Sequence, residues 1–266
     1  MIDPAIASSR AAARAPLGTV LARTCSAEWT RLWTVRATWW FLAAATLMLI
    51  GLGILLGFES AADAAEIQGE PAWTTARFIA MPAQFALLGL VLLSVTADYA
   101  TGGIFPSLQW TPRRSILFTA RAVITVAVAT GAGVLLTIGA AVAAKSTAGA
   151  ALTLQTDDGV SMVGRVAFVF LAGTALAAGL GFLIRNTAGA LISVFLLILV
   201  LPLLLPVFGD WMQTLAEALP GSGAIFLLTD GADGMTTTSS VLVMSAWAIG
   251  ALVGGWARFT RTDANQ

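Results

Sequence analysis

The sequence predicts an all-α polytopic membrane protein with six transmembrane helices, an N-terminal amphipathic elbow helix and both termini in the cytoplasm. Three observations carry this. Hydrophobic residues make up 58% of the 266 residues and charged residues 11%, with a mean hydropathy of +0.87. A soluble domain carries about 25% charged residues, so the ordinary cytosolic enzyme is excluded, and disorder with it. Second, six apolar runs match the roughly 20 helical residues that cross a hydrocarbon core of about 30 Å. Third, the basic residues between those runs fall mostly on one side.

The N-terminal segment, 1–38, holds no long apolar h-region of the signal-peptide kind. Within 17–40, Leu17, Leu21, Cys25, Trp29, Leu32 and Trp33 recur at three- and four-residue intervals. That spacing predicts an amphipathic helix with tryptophans at the membrane interface. Glu28 and Arg31 sit three residues apart on it and can pair. It serves either as a passive anchor or as an elbow that touches a cytoplasmic partner.

The transmembrane domain spans 39–257, with runs near 39–58, 78–97, 122–144, 166–184, 188–208 and 241–257. They are continuous rather than alternating, which argues against a β-barrel. The last run is shortest, and its helix is expected to start among residues 236–240. Gly53–Gly57 and Gly250–Gly254 have the GxxxG spacing for close helix approach within one chain or between subunits. Pro202 and Pro206 should kink the fifth span. A cytoplasmic tail, 258–266, follows.

Placing the N-terminus inside puts 11 of the 14 basic residues in cytoplasmic segments, against 4 acidic residues. The outer segments hold only Arg77, Lys145 and Arg165, with 10 acidic residues. The formal net charge of zero is therefore +7 inside against −7 outside, as the positive-inside rule requires. A neutral chain without a basic surface predicts no nucleic-acid partner; the lipid bilayer is the expected surroundings.

There is no histidine and a single cysteine, Cys25. Histidine-based acid–base catalysis and the usual zinc sites are excluded. The six runs contain no Asp, Glu, Lys or Arg, which argues against the midplane ionisable groups of proton-coupled carriers. Residues 139–146 read GAAVAAKS, close to the phosphate-loop pattern, but Ala144 replaces the second glycine and the strand–loop–helix context is missing. Hence no cofactor is expected in this chain, and it is not expected to be an enzyme. Arginine outnumbers lysine 13 to 1, a GC-rich bias that points to a bacterial cell membrane.

The loop 98–121, DYATGGIFPSLQWTPRRSILFTAR, is the most distinctive stretch. Gly102 and Gly103 break it, Pro106 and Pro112 bound a short segment, and Arg113, Arg114 and Arg121 follow. It is either an anionic-lipid contact or a docking element for a soluble protein. Residues 185–187 join the fourth and fifth spans as a tight hairpin. The long outer loop 209–240 is acidic. Trp211, Met212, Leu215 and Leu219 predict a short amphipathic helix, after which 221–228 dips back into the membrane.

Taken in order, SAEWTRLWTVRATWW (26–40), TADYATGGIFPSLQWTPRRSILFTAR (96–121), RNTAGA (185–190) and the outer loop with Leu219-Pro220 resemble the membrane subunits of ABC-2 type exporters. Ala100 and Gly103 depart from the pattern, where that family commonly has a basic residue and Thr. The resemblance implies a permease that pairs with a second, identical or different, permease subunit. Cytoplasmic ABC ATPase subunits, holding ATP and Mg, would dock on Asp98, Tyr99, Gly102, Pro112, Arg113, Arg114 and Arg121 of the loop and on Glu28 and Arg31 of the elbow. A drug, antibiotic, lipid or peptide would be the cargo. A non-transporting assembly protein and an ion-coupled carrier with neutral ligands are the competing readings.

Overall fold

The computed structural model describes residues 16–63, 69–101, 114–231 and 234–261. Helix α1 (Leu17–Thr34) ends at Val35, whose extended backbone redirects the chain into α2 (Arg36–Ala62). Strand β1 (Glu70–Pro71) precedes α3 (Ala72–Thr101). Helix α4 (Arg114–Ala148), β2 (Leu152–Thr153) and α5 (Thr156–Ile184) follow, and β1 pairs in parallel with β2. Helix α6 (Thr187–Phe208) leads into the short helices α7 (Asp210–Glu217) and α8 (Pro220–Thr229), and α9 (Thr237–Arg261) closes the chain.

Among the described residues, six helices, α2 to α6 and α9, are long and apolar enough to cross a membrane. The chain is a multi-pass, all-α membrane protein. The helices run past the apolar runs: α4 has 35 residues, or roughly 50 Å at 1.5 Å per residue. This corrects the reading of 98–121 as one loop. Asp98 and Tyr99 lie in the last turns of α3, and Arg114 and Arg121 in the first turns of α4. Hydropathy marks only the lipid-facing middle of a helix, and charged flanks continue the same backbone ladder. Gly102, Pro112 and Arg113 lie outside the described residues. The GAAVAAKS stretch is helical within α4, and Lys145 Nζ donates to the carbonyls of Gly149 and Leu152.

Up-and-down threading sorts the charges onto two ends. Arg31, Arg121, Arg185 and Arg258 share a basic end; Glu59, Asp157, Glu217 and Asp230 share an acidic end. Helix α5 lies at the centre, packed by α3, α4 and α9. Its apolar window is 72% buried, against 17% for the peripheral α6.

Lipid gives apolar side chains no reason to prefer each other over the bilayer, so small residues and close backbone contact hold such bundles together. Gly53 and Gly57 of α2 rest on the backbone of Ala140 and Ala144 of α4. At the α5–α9 crossing, Gly179 sits against the backbone of Ala251 and Leu252, and Gly255 against the carbonyl of Gly179. The packed pair on α9 is thus Ala251 and Gly255, one position on from the predicted Gly250–Gly254. Gly250 has open space where a Cβ would stand.

Proline shapes α6. A π-helical turn at Leu196–Val200 precedes Pro202, and a 3-10 turn at Leu205–Phe208 contains Pro206. Proline cannot bond the carbonyl four residues back and crowds it; for Pro202 that carbonyl belongs to Ile198. Gly221 of α8 packs directly on this carbonyl, so α8 enters the bundle where α6 is opened. Pro220 starts α8 at a position where its missing N–H costs nothing.

Gly179→Ala should lower the thermal unfolding midpoint in detergent, since a Cβ there meets backbone and overpacking costs about 1–3 kcal/mol. Gly250→Ala should leave the midpoint unchanged or raise it. Equal effects from the two would disprove the assigned crossing.

Candidate functional site

Four charged side chains converge at the basic end. Helix α1 carries Glu28 and Arg31 on the face that packs against α4, Asp98 comes from the end of α3, and Arg121 lies two turns into α4. Arg121 forks onto Glu28, with Nη2 to Oε1 at 2.9 Å and Nε to Oε2 at 3.1 Å. Its Nη1 lies 2.8 Å from Asp98 Oδ2. Arg31 Nη1 reaches the same carboxylate at 2.8 Å, and its Nε lies 3.1 Å from Glu28 Oε2. Arg31 Nη2 also donates to the carbonyl of Ser94. Each acid faces two arginines and each arginine two acids, so the ring is closed and neutral.

The ring is buried. The Arg121 side chain is 1% exposed, Glu28 8% and Asp98 17%. Charges at this depth persist only when paired and hydrogen-bonded. Burial, and then the Arg121 charge, lowers the Arg31 pKa, with Glu28 and Asp98 opposing. The arginine stays charged at any physiological pH.

Beneath the ring lies an apolar cluster of Val95, Leu117, Phe118, Phe182 and Phe259. The Phe118 and Phe182 rings meet tilted with centroids 4.5 Å apart, and the Phe182 and Phe259 rings meet edge to face at 5.3 Å. Tyr99 packs beside this cluster, with the Arg185 guanidinium 5.5 Å over its ring. Arg185 has a left-handed backbone at the end of α5 and donates to the Arg258 carbonyl at 3.0 Å. Asn186 caps α6 by accepting from the Gly189 amide at 2.9 Å.

Of the sequence-derived residues, the structure brings together Glu28, Arg31, Asp98 and Arg121. Tyr99 lies on a neighbouring turn, and Arg114 opens α4. The segment 102–113, with Gly102, Pro112 and Arg113, is bracketed by Asp98 on one side and Arg121 on the other. Among the described residues, no group of three or more His, Cys, Asp or Glu could hold a metal ion.

A second ionic site, at the acidic end, was not singled out by sequence. Asp230 follows α8 with a left-handed backbone. Arg77 of α3 reaches its Oδ2 at 2.6 Å and Arg165 of α5 its Oδ1 at 2.7 Å. Arg77 and Arg165 are two of the three bases at this end, which is the only signal the sequence offered. Partial burial raises the Asp230 pKa, but hydrogen bonds from Arg77 and Arg165, with their charges, outweigh it and hold the carboxyl below its ordinary value.

No family model matches the chain, and no curated protein does.

Two measurements test these sites. Arg121→Ala should destabilise the protein by about 3–5 kcal/mol, because it strands buried carboxylates. Joint replacement of Glu28 and Arg121 by Leu and Met should cost less than the single change, read as thermal midpoints in detergent. Asp230→Asn should lower the midpoint at neutral pH. Because the folded pKa lies below the unfolded one, that stabilisation is complete above about pH 4 and is lost as pH falls through the lower, folded value. The gap between wild type and variant should therefore close below pH 4.

Proposed function

We propose that this chain is the permease subunit of a bacterial ABC exporter, working with a second permease subunit and with separate cytoplasmic ATPases that bind and hydrolyse ATP with Mg. The basic end then lies in the cytoplasm, as the charge asymmetry of +7 against −7 favours. Both termini follow it there, and α1 becomes the elbow helix along the inner leaflet.

The observation that carries this reading is the charge ring. A soluble motor that pushes on a membrane protein needs a rigid handle on the cytoplasmic side. Glu28 and Arg31 on α1 are clamped to Asp98 on α3 and Arg121 on α4, the two helices that flank segment 102–113. A displacement imposed on that segment or on α1 is therefore shared by all three. In this reading Asp98, Glu28, Arg31 and Arg121 fix the handle, while Arg113 and Arg114 meet the ATPase.

The cargo path is apolar. A groove of about 430 Å³ between α3 and α6 is walled by Phe85, Leu88, Ile192, Phe195, Leu196 and Val200. The Phe85 and Phe195 rings meet edge to face at 5.6 Å. A lipophilic or amphipathic cargo suits such walls.

Affinity purification of the full chain from its native membrane should recover a stoichiometric ATPase. Arg113→Glu with Arg114→Glu should cut that recovery and the ATP hydrolysis of the reconstituted complex by about tenfold or more, with membrane insertion intact. A chain that purifies without any ATPase, or unchanged hydrolysis in the double variant, would count against the proposal.

A further inference from the structure

A cavity of about 240 Å³ opens at the acidic end between α6, α7 and α8. Its apolar walls are Pro202, Leu203, Pro206, Ile225 and Met235. It is too small to enclose a drug-sized molecule, since such sites run to about 300–1,000 Å³. It has room for a head group.

Its polar lining is Gln213, Glu217 and Ser222. Ser222 is committed, donating to the Ala216 carbonyl at 2.6 Å. Glu217 is half-buried, and the Gln213 amide donates to its Oε1 only at a distant 3.5 Å. Gly234 leaves the space the carboxylate occupies: a Cβ on it would stand 2.5 Å from Glu217 Oε1.

Among the described residues, no base pairs with this carboxylate. Arg77 and Arg165 are spent on Asp230, and Lys145 on two carbonyls. The remaining eleven basic residues belong to the other side of the membrane by the charge reading above. Glu217 also closes the last turn of α7, where the helix dipole disfavours an anion and favours a cation. Beside the cavity, Leu204, Val207, Phe208 and Trp211 are exposed, an apolar track at the membrane surface.

We propose that this cavity binds the cationic head of an amphipathic ammonium compound, with Glu217 as its counter-ion and the α6–α7 track holding its tail. The site deepens the exporter reading by naming the cargo class at the acidic end, and it rests on that reading for its role as an exit.

The test is equilibrium binding of radiolabelled decyltrimethylammonium to the full chain in phosphatidylcholine nanodiscs, with empty nanodiscs subtracted and decyl sulfate as the anionic comparison. The ammonium should bind at least about tenfold more tightly than the sulfate. Glu217→Gln, which keeps the side chain's size and should leave the thermal midpoint unchanged, should abolish that preference, and Glu217→Lys should reverse it. Equal binding of the two amphiphiles, or an unchanged preference in Glu217→Gln, would overturn the proposal. Charge-selective, Glu217-dependent binding by a chain that recruits no ATPase would keep the site and sink the exporter reading. ATP-driven export of a probe that binds Glu217→Gln as well as wild type would do the reverse.

Discussion

Three helices that lipid alone would leave free to slide are fixed to one another by a ring of two carboxylates and two guanidiniums. Apolar packing in a bilayer has no hydrophobic bonus, so α1 would be held on the bundle only by dispersion and by a few small residues. Glu28 and Arg31 instead lock it to Asp98 and Arg121. With all four charges paired, the ring is neutral and tolerates burial. With one removed, it leaves a charge where water is scarce, which makes the joint strict rather than merely attractive.

The acidic end uses the same device more openly. Asp230 is half-exposed and bridges α3 and α5 to the end of α8, while Gly221 seats the start of α8 on the widened turn of α6. The short helix is thereby held at both ends by different physics: close backbone contact inside, and ion pairing at the surface. Between the two charged ends, α5 packs against α3, α4 and α9, and α6 lies at the periphery.

Much of this was legible in the sequence, and the failures have definite causes. Hydropathy located six membrane-length helices because lipid requires long apolar runs. It stopped α3 too early, before Asp98, and started α4 too late, after Arg121, since charges terminate hydropathy and not hydrogen bonding. The GxxxG spacing found the right region of α9, but the close contact within the chain falls on Gly255 and not on Gly250, because spacing says nothing about which way a helix is rotated. The Glu28–Arg31 pair was visible at i, i+3, yet its closure through Asp98 and Arg121 spans 67 and 93 residues. Nothing in the sequence linked Asp230 with Arg77 and Arg165 beyond the scarcity of bases at that end. Glu217 looked like one more acid in an acidic loop until the cavity around it was formed.

That α1 and the flanks of segment 102–113 move as one body can be measured directly. With Cys25→Ser, spin labels at Ala27 on α1 and Thr119 on α4, both at exposed positions, report their separation by pulsed electron resonance in the complex with the proposed ATPase. A single narrow distance, the same without nucleotide and with ATP, is the predicted result, and Arg121→Ala should broaden it. A separation that changes on ATP binding while the ring residues are intact would contradict the coupled handle.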